Sequence, residues 1–427
     1  MSALIIFALL VTLMLTGMPI SISLGLTVLA FLYTLTSVPI ESVALKLFTG
    51  IEKFEIMAIP FFILAGNFLT HGGVARRMIN FATAMVGHLR GGLALGGVLA
   101  CALFAAVSGS SPATVVAIGS ILLPAMIKAG YPKRFGAGVI TTSGTLGILI
   151  PPSIVMVMFA VSTNTSVGAL FMAGVIPGLV LAVMLGFATW WRARKLNCPR
   201  LPRASLREQF RAFRESMWGL FLIIVVMGGI YTGIFTPTEA AAMSAVYAFI
   251  IAVFVYRDLS LKDVFKVLLN SANMSAMLLY IITNAVLFSF LLTHENIPQN
   301  TADWIIAQGL GVIGFLLIAN LLMLVAGNFM EPSSIVLILA PILFPIAMAL
   351  GIDPIHFGII MVVNMEIGMC TPPVGLNLYV ASGIAKMGLT ELTIAVWPWL
   401  LTMLAFLVLV TYVPGLSLWL PRTMGMM

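Results

Sequence analysis

Charge is what this sequence lacks most. Only 8% of its 427 residues are Asp, Glu, Lys or Arg, against 61% hydrophobic. Soluble domains carry about a quarter charged residues, and disordered chains are poor in apolar ones, so both classes are excluded. Residues 91–127, 135–191 and 367–385 hold no charge at all. Stretches of that length cross a bilayer, since about 20 apolar residues match a hydrocarbon core of roughly 30 Å. The apolar runs are continuous rather than alternating, which excludes a β-barrel. An all-α polytopic membrane protein remains.

Cysteine and catalytic signatures are scarce too. Cys101, Cys198 and Cys370 lie far apart, two of them in apolar segments, and offer neither a disulfide framework nor a metal spacing. The histidines, His71, His88, His294 and His356, form no ligand cluster. HExxH, GxSxG and GxxxxGK are all missing, so the chain reads as no enzyme, binds no organic cofactor and has no Walker loop through which ATP could act. No Lys or Arg precedes Lys46; the N-terminus lacks the basic region of a cleaved signal peptide and is expected to stay as the first span.

What charge there is has a place. Arg192, Arg194, Lys195, Arg200, Arg203, Arg207, Arg211 and Arg214, against Glu208 alone, put a net +7 into residues 192–214, leaving 13 basic against 13 acidic elsewhere. A short basic connection is expected on the cytoplasmic side. Aromatic interleaving and a surrounding basic fold are missing, so nucleic acid is not the expected partner.

The spans expected from apolar runs are two within residues 3–36, broken near Gly17 and Pro19, then 54–70, 93–108, an interrupted 134–162, and 168–190. After the basic loop, 192–216, come 217–235, 238–256, 271–292, 304–328, an interrupted 355–381, and 394–413, twelve apolar runs read as about eleven transmembrane helices. Residues 71–92, with Arg76 and Arg77 among Met78, Ile79 and Phe81, suit an amphipathic helix lying along the interface. Two leftover apolar pieces, 109–130 and 329–351, each have a proline near the start and one or more in the middle: Pro112 and Pro124, then Pro332, Pro341 and Pro345. They read as re-entrant helical hairpins whose halves are too short to cross.

These pieces belong to an internal repeat. Pairing Pro112 with Pro332, Pro124 with Pro345, Pro132 with Pro354 and Pro151-Pro152 with Pro372-Pro373 gives offsets of 220, 221, 222 and 221. The first half is residues 1–191 and the second 217–427. Duplicated halves with matching broken helices mark a transporter whose site lies at the repeat interface. The pattern is silent on whether the halves are inverted.

The chemistry concentrates in the same places. SGSSPATV, residues 108–115, offers Ser108, Ser110, Ser111 and Thr114 in a charge-free region; hydroxyls with freed carbonyls can give a small hard cation an all-oxygen shell. Close packing through small residues is the bland alternative. TTSGTLGILIPPS, residues 141–153, combines Thr141, Gly144, Thr145 and Gly147 with a proline pair, which permits unwinding or merely a kink. Its twin at 363–375 carries Asn364 and Glu366. An intramembrane glutamate is a functional candidate by default, serving as cation ligand, proton relay or structural acid; Glu331 before Pro332 is similarly ambiguous.

SGSSPATVVAIGSILLPAM, ITTSGTLGILIPPSIVM, TGIFTPTEAAAMSAVYA and GIDPIHFGIIMVVNMEIGMCTPPVGLNLYV resemble the large membrane subunit of tripartite ATP-independent periplasmic (TRAP) transporters along essentially the whole chain, and most of all its C4-dicarboxylate branch. The resemblance implies an elevator-type secondary transporter of the bacterial inner membrane with an inverted repeat, working with a small four-helix membrane subunit and a periplasmic solute-binding protein. It implies sodium coupling, with one cation near Ser108, Ser110, Ser111, Thr141, Gly144, Thr145 and Gly147. A second would lie near Asn328, Met330, Glu331, Asn364, Glu366, Gly368 and Thr371. Substrate is expected against Ser111, Thr114, Pro152, Ser333 and Pro373. A dicarboxylate carries about two negative charges at neutral pH, and the hairpins and broken spans hold no Lys or Arg at depth. Half-helix N-termini, hydroxyls and bound cations must then neutralise it. The competing reading is proton-coupled transport of organic anions through Glu366, without a binding protein.

Overall fold

The computed structural model describes residues 2–36, 38–309 and 311–427, and within them every regular element is a helix. The first half runs α1 (Ser2–Leu15), α2 (Ile20–Leu35), α3 (Ile40–Thr49), α4 (Ala58–His71), α5 (Val74–Val86), α6 (Gly92–Ser108), α7 (Ser111–Lys128), α8 (Lys133–Ser143), α9 (Leu146–Leu149), α10 (Ile154–Thr163) and α11 (Val167–Lys195). The second runs α12 (Leu206–Tyr231), α13 (Pro237–Ile250), α14 (Leu261–His294), α15 (Ile297–Ala307), α16 (Val312–Gly327), α17 (Pro332–Ala349), α18 (Pro354–Gly368), α19 (Leu376–Ala385), α20 (Leu389–Tyr412) and α21 (Gly415–Thr423). Among the described residues, eight helices are long and apolar enough to cross a bilayer, or nine if the bent pair around Pro151-Pro152 counts as one. Others read as spans, such as α1, α6 and α16, have 14, 17 and 16 residues, short of the roughly 20 that a perpendicular crossing needs. The run read as 304–328 includes Leu310, outside the described residues; on either side of it lie α15 and α16.

The hairpins differ from their expected bounds. Residues 111–128 and 332–349 each form one unbroken helix despite Pro124, Pro341 and Pro345. Pro112 and Pro332 sit in the first turn, where a missing N–H costs nothing, so they start helices rather than break them. The reversal lies upstream: α6 ends at Gly109 with φ +62°, and α7 folds back along it, so that a Cβ on Gly97 would strike Leu122. Each hairpin therefore includes the helix before it: α6 with α7, and α16 with α17.

Both proline pairs fall between helices. α8 and α9 give way to α10 across a cis Pro151-Pro152 bond, and α18 gives way to α19 across a cis Pro372-Pro373 bond. Together they form the centre of the molecule: every residue from Ile355 to Gly368 is buried, as expected of a helix that is apolar all round. α8 packs against α20 of the other half, where Arg134 pairs with Glu391 at 2.6 Å. α20 in turn donates a hydrogen bond from buried Trp399 to Thr189 of α11, 2.9 Å.

The basic segment is mostly helical. α11 continues to Lys195, and α12 begins at Leu206 behind a Ser205/Glu208 capping box, leaving residues 196–205 as the connection. That connection is held by Tyr131 Oη on Pro199 O (2.9 Å) and Leu201 N on Gly87 O (3.1 Å). The amphipathic helix α5 also forms, but its apolar face, including Met78, Ile79 and Ala82, is buried against α6 and α12. Packing within the protein thus accounts for its periodicity.

Candidate functional site

Each hairpin turn is tied to the proline break of its own half by one backbone hydrogen bond. Ile154 N donates to Gly109 O at 3.4 Å, and Val374 N donates to Asn328 O at 2.9 Å. Donor and acceptor positions differ between halves by 220 and 219 residues, so the repeat seen in the prolines is a repeat of geometry. Glycine permits both approaches. A Cβ on Gly147 would lie 2.6 Å from Ser110 O, one on Gly109 2.8 Å from Pro152 O, and one on Gly327 2.9 Å from the Cα of Gly368.

In the first half the oxygens converge. Ser108, Ser111 and Thr114 are buried and Ser110 is half-buried. Ser108 Oγ and Thr114 Oγ1 are 2.9 Å apart, and Thr114 Oγ1 donates to Ser110 O at 2.9 Å. Opposite them the helix loosens: Thr145 N bonds Thr142 O rather than Thr141 O, which releases the Thr141 carbonyl from the helical ladder. Thr145 Oγ1 donates to Thr142 O at 2.7 Å, and Gly144 lets Val115 approach.

In the second half Glu331 occupies the N-cap position of α17, but its carboxylate accepts from the Ser334 hydroxyl (3.2 Å) rather than from backbone. Met330 is half-buried beside it. Asn364 donates to Asn320 Oδ1 and Ile360 O, both 2.8 Å, while its own Oδ1 has no partner among the described residues. Glu366 is wholly buried, and neither carboxylate oxygen has a partner there. Thr371 Oγ1 donates to Ile367 O at 2.6 Å. Unpaired acceptors at this depth are costly. Oxygens alone, two of them from a carboxyl group, suit a hard cation.

A cavity of about 430 Å³ brings the two hairpin turns together: Ser110 and Ser111 from one, Glu331 and Ser333 from the other. Its wall includes no lysine or arginine among the described residues. Of the five residues expected to meet substrate, Ser111 and Ser333 line this cavity. Thr114, Pro152 and Pro373 do not line this cavity: the Thr114 hydroxyl is turned onto Ser110 O, Pro152 is buried with its carbonyl against Gly109, and Pro373 faces outward.

Several lining groups were not evident in the sequence. Asn67, Thr70 and His71 enter from α4, and Met274 and Met277 from α14. His71 bonds Asn67 O through Nδ1 at 2.8 Å. His356 is structural: its two ring nitrogens meet Ser417 Oγ and Thr411 O. Asn377, on α19, is buried and donates to Ser111 Oγ at 2.7 Å. Only a contact between halves reveals it, and nothing in its local sequence signals that contact.

Comparison with known proteins agrees with this architecture. Residues 7–416 match the family described as "Tripartite ATP-independent periplasmic transporter, DctM component". The chain is 75% identical over 440 residues to the C4-dicarboxylate TRAP transporter large permease protein DctM of Rhodobacter capsulatus, covering the whole of both. It is 56% identical to the protein of the same name from Pseudomonas aeruginosa, over 95% of each. The fold is similar to that in the crystal structure of the Alcanivorax borkumensis YdaH transporter, with a TM-score of 0.63, 17% identity, and coverage of 89% of this chain and 90% of that one.

Proposed function

The chain belongs to the DctM-component family of tripartite ATP-independent periplasmic transporters as a large permease, and from that premise we propose that it imports C4-dicarboxylates or closely related organic acids by sodium symport. Its partners in this reading are a small four-helix membrane subunit and a periplasmic solute-binding protein, and its place is the bacterial inner membrane.

One observation carries the coupling. The cavity shared by the two hairpin turns contains a carboxylate, Glu331, and no lysine or arginine among the described residues. A doubly charged anion entering it gains no fixed counter-charge, which costs several kcal/mol in a desolvated site. Cations held beside each turn by Ser110, Thr141 and their neighbours, and by Asn364 and Glu366, would cancel that cost. Anion and cation then raise each other's affinity by the same factor, which is what coupling means thermodynamically.

Glu366 supports a second reading, because a proton satisfies an unpartnered carboxylate as a sodium ion does. Proteoliposomes holding the chain with its small subunit separate the two. With binding protein and succinate outside, an inward sodium gradient should drive accumulation and a proton gradient alone should not. Accumulation on protons alone, without binding protein, would establish the second reading.

A further inference from the structure

We propose that Asn377, supplied by the second half, is a ligand of the cation held by the first half, so that one ion fastens the two halves together. This rests on the sodium-coupled reading above. Asn377 opens α19 just after the Pro372-Pro373 break and has no exposed surface. Its Nδ2 donates to Ser111 Oγ at 2.7 Å and to Thr141 O at 3.4 Å. Ser111 begins hairpin helix α7, and Thr141 is the residue whose carbonyl is released from the α8 ladder. Two oxygens of the first half thus converge on one amide of the second.

That amide bridges the two oxygens that a bound cation would bridge. Its N–H groups place partial positive charge between Ser111 Oγ and Thr141 O. Asn377 Oδ1, meanwhile, is buried and has no hydrogen-bond partner among the described residues, an arrangement that persists only with a reason. Rotation of χ2 by half a turn exchanges the two ends of the amide, and this torsion is broad and nearly two-fold. Without an ion the rotated form sets Oδ1 against the Thr141 carbonyl, acceptor against acceptor. With a sodium ion among them, Oδ1, Ser111 Oγ and Thr141 O become three members of an oxygen shell, and the formerly unpaired atom is satisfied. The 221-residue offset pairs Asn377 with Met156, which has no oxygen to offer, so this ligand belongs to the first cation alone.

The test is the sodium dependence of thermal unfolding of the purified two-subunit complex, titrated with sodium chloride against choline chloride at constant ionic strength. A ligand that binds only the folded state raises Tm with its concentration. Asn377→Ala loses an oxygen and should require at least about tenfold more sodium for the same rise in Tm, equivalent to about 1.4 kcal/mol of binding. Asn377→Asp keeps the oxygen and should require no more sodium than the unaltered chain. A residue that matters only for packing and hydrogen bonding would be harmed by aspartate at least as much as by alanine. An unchanged sodium requirement in Asn377→Ala, or an increased one in Asn377→Asp, overturns the proposal. If Asn377→Ala does not insert, Asn377→Asp alone decides. Absence of any sodium effect on the unaltered complex would instead remove the sodium-coupled reading itself.

Discussion

Glu366 presents the sharpest physical conflict in the molecule at the scale of single residues. Both of its oxygens are buried and unpartnered among the described residues, so the folded chain bears a desolvation cost that a neutral side chain would avoid. Glu366→Gln should therefore raise Tm in sodium-free buffer while lowering sodium-driven uptake at least about tenfold, the loss expected when an interaction of ~1.4 kcal/mol disappears. Opposite signs in the two measurements are the mark of a binding group; a fall in both would make Glu366 a structural acid. Ser110→Ala should likewise impair sodium-dependent uptake without preventing insertion. These residues were legible because polar groups stand out in charge-free runs. Asn377, Asn67 and Thr70 were not, since what makes them notable is the neighbour that folding brings to them.

Individual helices show the same division between what sequence carries and what packing decides. Proline pairs and adjacent glycines located both broken spans, because few other local structures tolerate them there. The hairpins were displaced by a helix, because a proline in a first turn and a proline that breaks a helix look alike in sequence. Glycine spacing offers a direct check on the hairpin contact. Gly147→Ala would place its Cβ 2.6 Å from Ser110 O and 2.8 Å from Ser110 C, backbone that can yield only by moving the turn, and should cost about 1–3 kcal/mol with a severe loss of uptake. Gly383→Ala, on α19 with nothing within 4 Å, should be neutral or stabilising by about 0.5–1 kcal/mol. Outside the membrane, Ser205 holds the Glu208 carboxyl below the usual carboxylate range, first through its backbone N–H and then through its hydroxyl. A depressed folded-state pKa gives a contribution present above the ordinary carboxylate range and lost as pH falls through the depressed value. Protection of amides 206–209 against exchange, taken relative to the intrinsic rate at each pH, should accordingly fall only on acidification below that range.

For the whole molecule, the near-constant offset of 220 or so in the prolines returned as a second set of hairpin, broken span and long helix, because a duplicated chain folds each copy by the same local rules. How the copies interlock, with α8 on α20 and Asn377 reaching Ser111, depends on surfaces that no spacing encodes. Orientation in the membrane is again a property of the entire chain, and it follows from where the charge sits. Residues 192–214, which close α11, connect it to α12 and open α12, carry the full net +7, and both helices are long enough to cross. Retaining that loop in the cytoplasm is favoured by its Lys and Arg content, and the turn beyond α12 must then face the periplasm. All three native cysteines are buried, so an introduced one reports cleanly. Arg203→Cys should react with a membrane-impermeant maleimide in inverted vesicles but not in intact spheroplasts. Ile234→Cys, in the turn after α12 and 69% exposed, should show the reverse. Labelling of both from one face would mean that α12 does not cross, and a full exchange of the two results would mean that the +7 segment faces outward and that charge does not set the orientation of this chain.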